Sequence, residues 1–171
     1  MNRFYFDLAS PECWLAAERV LQDVPQPCEW IPVLARDPLP AFRCAEEESI
    51  WRMELERRAR ALGLQEVRWP PEVPFDSSFA MRCATYARGA GKTVAFALAA
   101  FRQAYCAGRD LGDPENVLIA AAACEIHPRA LLKGAALRST REALERASAE
   151  VPAGQVPVVV EPSAPSQRLG G

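Results

Sequence analysis

The sequence has a single histidine, His127, and its six cysteines form no C-x-x-C pair. One histidine excludes a multi-histidine metal site, and any Ser-His or Cys-His catalytic pair would have to use that residue. The cysteines also lack the spacing of zinc ligands, so we expect no metal. Their irregular spacing indicates free thiols in a reducing compartment, and we expect a cytoplasmic protein. The cysteines stand at positions 13, 28, 44, 83, 106 and 124.

The sequence also lacks an excess of one charge, because it has 20 Lys and Arg residues and 22 Asp and Glu residues. This balance removes the usual electrostatic basis of nucleic-acid binding. The apolar runs are too short to cross a bilayer, and the N-terminus does not resemble a secretory signal, so we expect no membrane partner. Half of the residues are hydrophobic, which excludes an intrinsically disordered chain. A length of 171 residues is sufficient for one compact core.

Apolar patterns at the N-terminus predict a strand, a helix and a second strand. Residues 3–8 alternate apolar and polar side chains, as a half-buried strand does. Ser10 is a preferred N-cap and Pro11 suits the first helical position, so a helix begins there. Residues 28–34 predict the second strand, where Pro32 indicates an edge position or an early end.

The rest of the chain has mainly helical patterns. The predicted helices span residues 46–64, 77–88, 93–107, 115–125 and 139–149, with a short one that starts at 128 and a rigid proline-rich connection at 69–75. Residues 156–160 then predict a buried strand, which a Pro-, Ser- and Gly-rich tail follows. This order indicates an α/β fold with an all-helical insertion. We place the insertion at residues 41–125, between the two parts of a discontinuous domain, residues 1–40 and 126–171.

Two short motifs suggest ligand binding but fit ordinary structure better. Residues 89–93, GAGKT, end like a phosphate-binding loop, but Tyr86 stands where that motif needs glycine, and a predicted helix precedes it. We therefore predict a plain turn between helices. Cys124 and His127 have the spacing of two zinc ligands, but a structural zinc site needs four. We predict instead that His127 lies at a helix end.

The segment Ser10-Pro11-Glu12-Cys13 lies where ligands commonly bind in α/β proteins. It joins the carboxyl end of the first predicted strand to the start of the first helix. At such a position, free N–H groups and the helix dipole attract an anion. Ser10 is also an ordinary helix cap, and Cys13 fits a buried helical position. The residue types alone therefore leave both ligand binding and simple capping open.

Several segments along nearly the whole chain follow the pattern of one known family. The first is FYFDLASPECWLAAER at residues 4–19. The others are WIPVL at 30–34, PFDSSFAMR at 74–82, FRQAY at 101–105, GRDLGDPE at 108–115 and the strand that begins at Val156-Pro157. In these segments the chain resembles 2-hydroxychromene-2-carboxylate isomerases and kappa-class glutathione transferases, relatives of DsbA in the thioredoxin superfamily, and the last segment resembles the strand that carries the cis-proline of that superfamily. The resemblance implies a thioredoxin-like fold that carries an all-helical insertion.

The resemblance also implies a chemistry for the first helix. In the similar enzymes, a serine at the position of Ser10 replaces the attacking cysteine of thioredoxin-like oxidoreductases, and bound glutathione supplies the thiol. Ser10 would then hydrogen-bond the thiolate, and the backbone of Val156 would bind the cysteinyl part of glutathione. The other residues implied at the thiol site are Pro11, Cys13, Pro157 and Gln167. The implied substrate is a small aromatic or electrophilic molecule, and dimers in the similar family imply a homodimer.

Three positions differ from the pattern of these enzymes. Glu12 places a carboxylate beside the site, where its charge opposes ionisation of a thiol unless the side chain points away. The segment after the second strand, residues 45–49, is acidic where the family often has Asn or Lys. Gln167 stands where the family has Asp, and it supplies no charge. The implied cofactor is therefore glutathione or another low-molecular-weight thiol.

Three functions stay open from the sequence. The first is a thiol-dependent isomerase or transferase in which Ser10 orients the thiolate. The second is a thiol–disulfide oxidoreductase with a degenerate Ser-x-x-Cys motif, in which only Cys13 remains for the chemistry. The third is a non-catalytic binding protein on the same fold, since one fold supports many functions.

Overall fold

The computed structural model describes residues 1–24, 27–151 and 155–162. The described strands are β1 (Asn2–Phe6), β2 (Cys28–Pro32) and β3 (Val158–Val160). The described helices are α1 (Pro11–Asp23), α2 (Ala45–Ala61), α3 (Ser78–Gly89), α4 (Thr93–Tyr105), α5 (Pro114–Ala123), α6 (Pro128–Ala136) and α7 (Arg138–Glu150).

The described strands form one mixed sheet in the order β2-β1-β3. β1 is parallel to β2, with Phe4 opposite Trp30, and antiparallel to β3, with Phe4 opposite Val159. A parallel pair needs a crossover connection, and α1 supplies it. The central strand therefore leads directly into the Ser10 segment at its carboxyl end.

The two faces of the sheet are covered by different helices. Successive side chains of a strand point to opposite faces, so the residues of β1 divide between two clusters. The larger cluster contains the buried rings of Phe4, Phe6, Trp14, Trp30, Phe101 and Tyr105. The smaller cluster contains Tyr5, Ile31, Val33 and Val151. Because Trp14 belongs to α1 and Tyr105 to α4, the larger cluster fixes the helix that starts at the Ser10 segment.

Three helix starts agree with the sequence. Ser10, Asp113 and His127 are the N-caps of α1, α5 and α6, and a proline follows each of them. Each cap side chain accepts a backbone N–H, at 3.2, 3.0 and 3.1 Å in that order. The prediction that His127 lies at a helix end is therefore confirmed. The prediction of a plain turn at residues 89–93 is confirmed as well, because this segment joins α3 to α4.

The acidic segment at residues 45–49 forms the first turn of α2, in the helix that the sequence predicts from residue 46, and its three consecutive glutamates suit the positive end of the helix dipole. One sequence prediction is wrong. The valine-rich segment is not a buried strand of five residues. Only Val158–Val160 pair with β1, and Val159 is 40% exposed because β3 lies at the edge of the described sheet.

The division of the chain at residues 41–125 stays a prediction. α3, inside the proposed insertion, packs against β2 and also against α6 and α7. α3, which belongs to the proposed insertion, therefore packs against elements of both parts of the proposed discontinuous domain.

Candidate active site

Ser10 caps α1 immediately after the central strand. Its Oγ accepts the backbone N–H of Cys13 at 3.2 Å, and its carbonyl accepts the same N–H at 3.1 Å. Its own N–H donates to the carbonyl of Asp7 at 3.1 Å. The residue is only 1% exposed, so in this arrangement Ser10 lies beneath the surface of the site.

Cys13 lies in the first turn of α1 with a fully buried thiol. Burial raises the pKa of this thiol to about 12, although a hydrogen bond with Ser10 works in the opposite direction. The charges of Asp7 and Glu12 raise the pKa as well. At neutral pH the thiol form therefore strongly predominates over the thiolate, which is the reactive form. On its own, Cys13 is thus a poor nucleophile.

Asp7 is a buried carboxylate that joins three segments below Ser10. Its Oδ1 accepts the N–H of Ala9 at 2.9 Å and the hydroxyl of Ser77 at 2.8 Å. Its Oδ2 accepts the N–H of Ala35 at 2.9 Å. These bonds connect the end of β1, the loop after β2 and the N-terminus of α3. The sequence analysis missed Asp7, although a charged residue at the end of an aromatic strand was a visible signal.

We expect Asp7 to titrate above its ordinary pKa of 3.8. Burial raises its pKa, and this outweighs the lowering effect of the three hydrogen bonds. The pKa of Asp7 is therefore higher in the folded protein than in the unfolded chain. For this reason the contribution of Asp7 to the free energy of unfolding is complete below the unfolded-state pKa, and it is lost as the pH rises through the folded-state pKa. An NMR titration of the side-chain carboxyl carbon measures the midpoint directly.

Asp76 is the internal control for this titration. Its carboxylate accepts hydrogen bonds from the hydroxyl and the N–H of Ser78, which lower its pKa below 3.8. The two aspartates should therefore move in opposite directions from the same starting value. A midpoint for Asp7 at or below that of Asp76 would contradict the assignment.

Glu12 is bound by α2 rather than directed at Ser10. Its carboxylate accepts two hydrogen bonds from the guanidinium of Arg58, at 2.9 and 2.5 Å, and one from the indole of Trp51 at 3.3 Å. The charge that would oppose a nearby thiolate is thereby paired with a cation. No local sequence signal predicts this pair, because Arg58 and Trp51 are 46 and 39 residues from Glu12.

Two cavities open beside Glu12. The first, the α1–α2 cavity, has a volume of about 480 Å³ and lies between α1, α2 and the strand β3. Its walls are mainly apolar, and three arginines also line it. Residues of its lining include Leu15, Val20, Leu62, Pro157 and Val159, with the arginines Arg19, Arg57 and Arg58.

The second cavity, the loop cavity, has a volume of about 540 Å³. It lies between the loop that follows β2 and the segment before β3. Its lining consists of Glu12, Asp37, Pro38, Leu39, Pro40, Ala41, Gln155 and Val156. Glu12 lines both cavities, and the consecutive residues Val156 and Pro157 line one cavity each. The two cavities therefore meet at Glu12 and at one peptide bond, which is cis.

Comparisons with known proteins decide the fold. No family model and no curated protein sequence matches the chain. A solved 2-hydroxychromene-2-carboxylate isomerase is similar with a TM-score of 0.80 and 16% identity, over 95% of this chain and 86% of that chain. A probable DsbA oxidoreductase from Streptomyces coelicolor has a TM-score of 0.69 and 22% identity, over 93% and 79%. The cytosolic disulfide reductase DsbM from Pseudomonas aeruginosa, solved with GSH, has a TM-score of 0.63 and 13% identity, over 92% and 84%.

The chain has the DsbA-like thioredoxin fold. This confirms the predicted α/β class and the resemblance seen along the sequence. Identities of 13–22% establish the fold alone, so the chemistry of the site has to be argued from its own residues.

In this DsbA-like thioredoxin fold, the predicted site residues fall into two groups. Val156 and Pro157 line the cavities, whereas Ser10, Pro11 and Cys13 lie buried beside them. Gln167 lies outside the described residues. The sequence analysis missed Asp37, Trp51 and Arg58.

The residues that the structure describes contain no group of three or more His, Cys, Asp or Glu side chains placed to hold a metal ion. Within residues 1–24, 27–151 and 155–162, no helix has the length and apolar character that a membrane span requires.

Proposed function

We propose that the protein is an enzyme whose nucleophile is a bound low-molecular-weight thiol, as in glutathione-dependent isomerases and kappa-class transferases. The observation that carries this proposal is the complete burial of Cys13, which keeps its thiol away from a ligand and raises its pKa, so that the thiolate is disfavoured. Among the described residues, no cysteine lines either cavity. A thiol nucleophile at this site therefore has to arrive with a ligand.

The two cavities suit two different ligands. Val156, whose backbone would bind the cysteinyl part of the thiol, lines the loop cavity, so this cavity would hold the thiol. The α1–α2 cavity has mainly apolar walls, which suit an aromatic molecule. Its arginines are paired with Asp23, Glu54 and Glu12, so a substrate carboxylate would have to compete with these acids. Because the cavities meet at Glu12, a sulfur bound in one would lie next to a substrate bound in the other.

Ser10 would stabilise the thiolate at the N-terminus of α1. A hydroxyl donor and free helix N–H groups both favour the charged form of a thiol and lower its pKa. Since Ser10 is 1% exposed, the proposal requires its hydroxyl to become accessible when the thiol binds. This requirement makes Ser10 the residue on which the proposal is most directly tested.

The isomerase reaction is balanced without an oxidant. The thiolate adds its electron pair to the conjugated double bond of the substrate, and the former double bond becomes a single bond that rotates. The electron pair then returns to the sulfur as the thiolate leaves. In the transferase reaction, the carbon–sulfur bond is kept, and either the electrophile takes up a proton or a leaving group departs.

Ser10→Ala tests the role of the hydroxyl. With glutathione and a chromene carboxylate or a model electrophile, we expect kcat/KM to fall by about tenfold to 100-fold, since a hydrogen bond to a charged group contributes roughly 1.5–3 kcal/mol. We also expect the pH profile to move to higher pH, because the bound thiol loses a donor that favours its charged form. Unchanged activity and an unchanged pH profile would contradict the mechanism.

Loss of a helix cap has to be separated from loss of a catalytic hydroxyl. Ser10→Ala also removes the N-cap of α1, which costs about 1 kcal/mol of stability. Asp113→Ala removes the N-cap of α5 and is the matched control. We expect both variants to lower the unfolding free energy, and only Ser10→Ala to change the pH profile.

Thiol–disulfide exchange is a second candidate, which two structural neighbours with oxidoreductase or reductase in their descriptions support. It would rely on Cys13 alone. Labelling of Cys13 at neutral pH and an insulin-reduction assay test it, and inertness in both is the result that our proposal requires. If neither activity appears and calorimetry detects no bound thiol, the third candidate, a binding protein without catalysis, replaces both.

We also propose a cytoplasmic location. All six cysteines are free thiols, as is usual in a reducing compartment. The DsbM neighbour is described as cytosolic.

A further inference from the structure

The ionisable groups of the loop cavity are both acidic. Among the described residues, its lining contains the carboxylates of Glu12 and Asp37 and no Lys or Arg. The charge of Glu12 is matched by Arg58, which lines the other cavity. Asp37 is exposed and forms no ion pair with any residue that the structure describes. The unbalanced charge of the cavity is therefore negative.

The nearby basic residues do not change this balance. Arg43 and Arg52 pair with the glutamates of the first turn of α2, at 2.6 and 3.0 Å. Neither of these arginines lines the loop cavity, and neither does Arg36, which precedes Asp37 in the chain. Most of the remaining wall is apolar and offers no cation: Pro38, Leu39, Pro40 and Ala41.

We propose that the thiol bound in the loop cavity carries no carboxylate and is neutral or cationic. Glutathione has two carboxylates and one ammonium group, so its net charge repels the charge of Asp37. A neutral thiol avoids that repulsion, and a cationic thiol gains attraction from the same side chain. This inference rests on the proposed thiol-dependent function and names the class of thiol that it uses.

The experiment compares three thiols of different charge: glutathione, neutral N-acetylcysteamine and cationic cysteamine. The KM of each thiol is measured with one model electrophile, and the affinity of each S-methyl derivative is measured by calorimetry. We expect the KM and the dissociation constant of the glutathione form to exceed those of the cysteamine form about fivefold, as for charges close together in water. The ratio of the glutathione value to the cysteamine value should fall at high salt, because ions screen an exposed charge.

Asp37→Lys reverses the charge in question. We expect it to lower the KM for glutathione and raise that for cysteamine, each about threefold. Glu72→Lys makes the same change of charge at an exposed acid outside both cavities, and it should leave the ratio unchanged. The inference is wrong if glutathione binds as well as cysteamine, or if Asp37→Lys leaves the ratio unchanged.

The calorimetric arm separates this inference from the proposed function. If no thiol supports catalysis but S-methylcysteamine binds more tightly than S-methylglutathione, the selectivity of the cavity is supported and the enzymatic proposal fails. If none of the three derivatives binds, both proposals fail. If the glutathione derivative binds most tightly and glutathione supports catalysis, only the inference about charge fails.

Discussion

Ser10→Cys is expected to give a much faster disulfide exchange than the parent protein. The substitution completes a C-x-x-C motif with Cys13 at the N-terminus of α1. Ser10 Oγ lies 3.2 Å from the backbone nitrogen of Cys13, so the introduced sulfur would be next to the first turn of the helix. At such a position, the helix N-terminus lowers the pKa of a thiol and raises its thiolate fraction. We expect reduction of a small disulfide at least about 100-fold faster than with the parent protein.

Formation of an internal disulfide is the direct measurement. After incubation with oxidised thiol, mass spectrometry should show the loss of two hydrogens from the Ser10→Cys variant and a disulfide that includes Cys13. The variant that combines Ser10→Cys with Cys13→Ala is the control, because it retains the introduced thiol but has no partner at the fourth position. Two free thiols in the oxidised single variant would contradict the geometry that we assign to the start of α1.

Trp14→Ala is expected to lower the free energy of unfolding by about 3–5 kcal/mol. The side chain is fully buried, and its ring centroid lies 5.9 Å from that of Tyr105. The indole N–H donates to Glu18 at 3.3 Å, and Glu18 is also paired with Arg102 of α4. The substitution therefore removes a large apolar volume and a contact that attaches α1 to α4.

Leu21→Ala is the matched control for this prediction. Leu21 belongs to the same helix but is 65% exposed, so we expect its loss to change stability by less than about 0.5 kcal/mol. Urea unfolding, followed by circular dichroism, measures both variants. Equal losses at the two positions would show that α1 does not depend on the packing of Trp14.

Signals between near neighbours in the chain predicted much of the fold. A cap residue followed by proline marks the start of three helices, at Ser10, Asp113 and His127, and each start is confirmed. These signals work because a cap and the helix N–H that it accepts are two or three residues apart. The apolar–polar alternation at the N-terminus predicted β1 for a similar reason, because neighbouring side chains of a strand point to opposite faces.

The parts of the candidate site that the sequence did not predict depend on residues far apart in the chain. Glu12 meets Arg58 across 46 residues, and Asp7 meets Ser77 across 70. Neither pair has a spacing that a helix or strand pattern would reveal. The exposure of Val159 was missed for a related reason, because an apolar run does not show how many strands cover it.

The shared position of Glu12 has a thermodynamic consequence. Since one carboxylate lines both cavities, a ligand that moves it in one cavity changes the charge presented to the other. Such coupling is reciprocal: the factor by which a ligand in one cavity alters the affinity of the other cavity equals the factor for the reverse effect. A change at Glu12 therefore affects both affinities together, whereas Asp37 and Arg57, which line one cavity each, allow the two ligands to be studied separately.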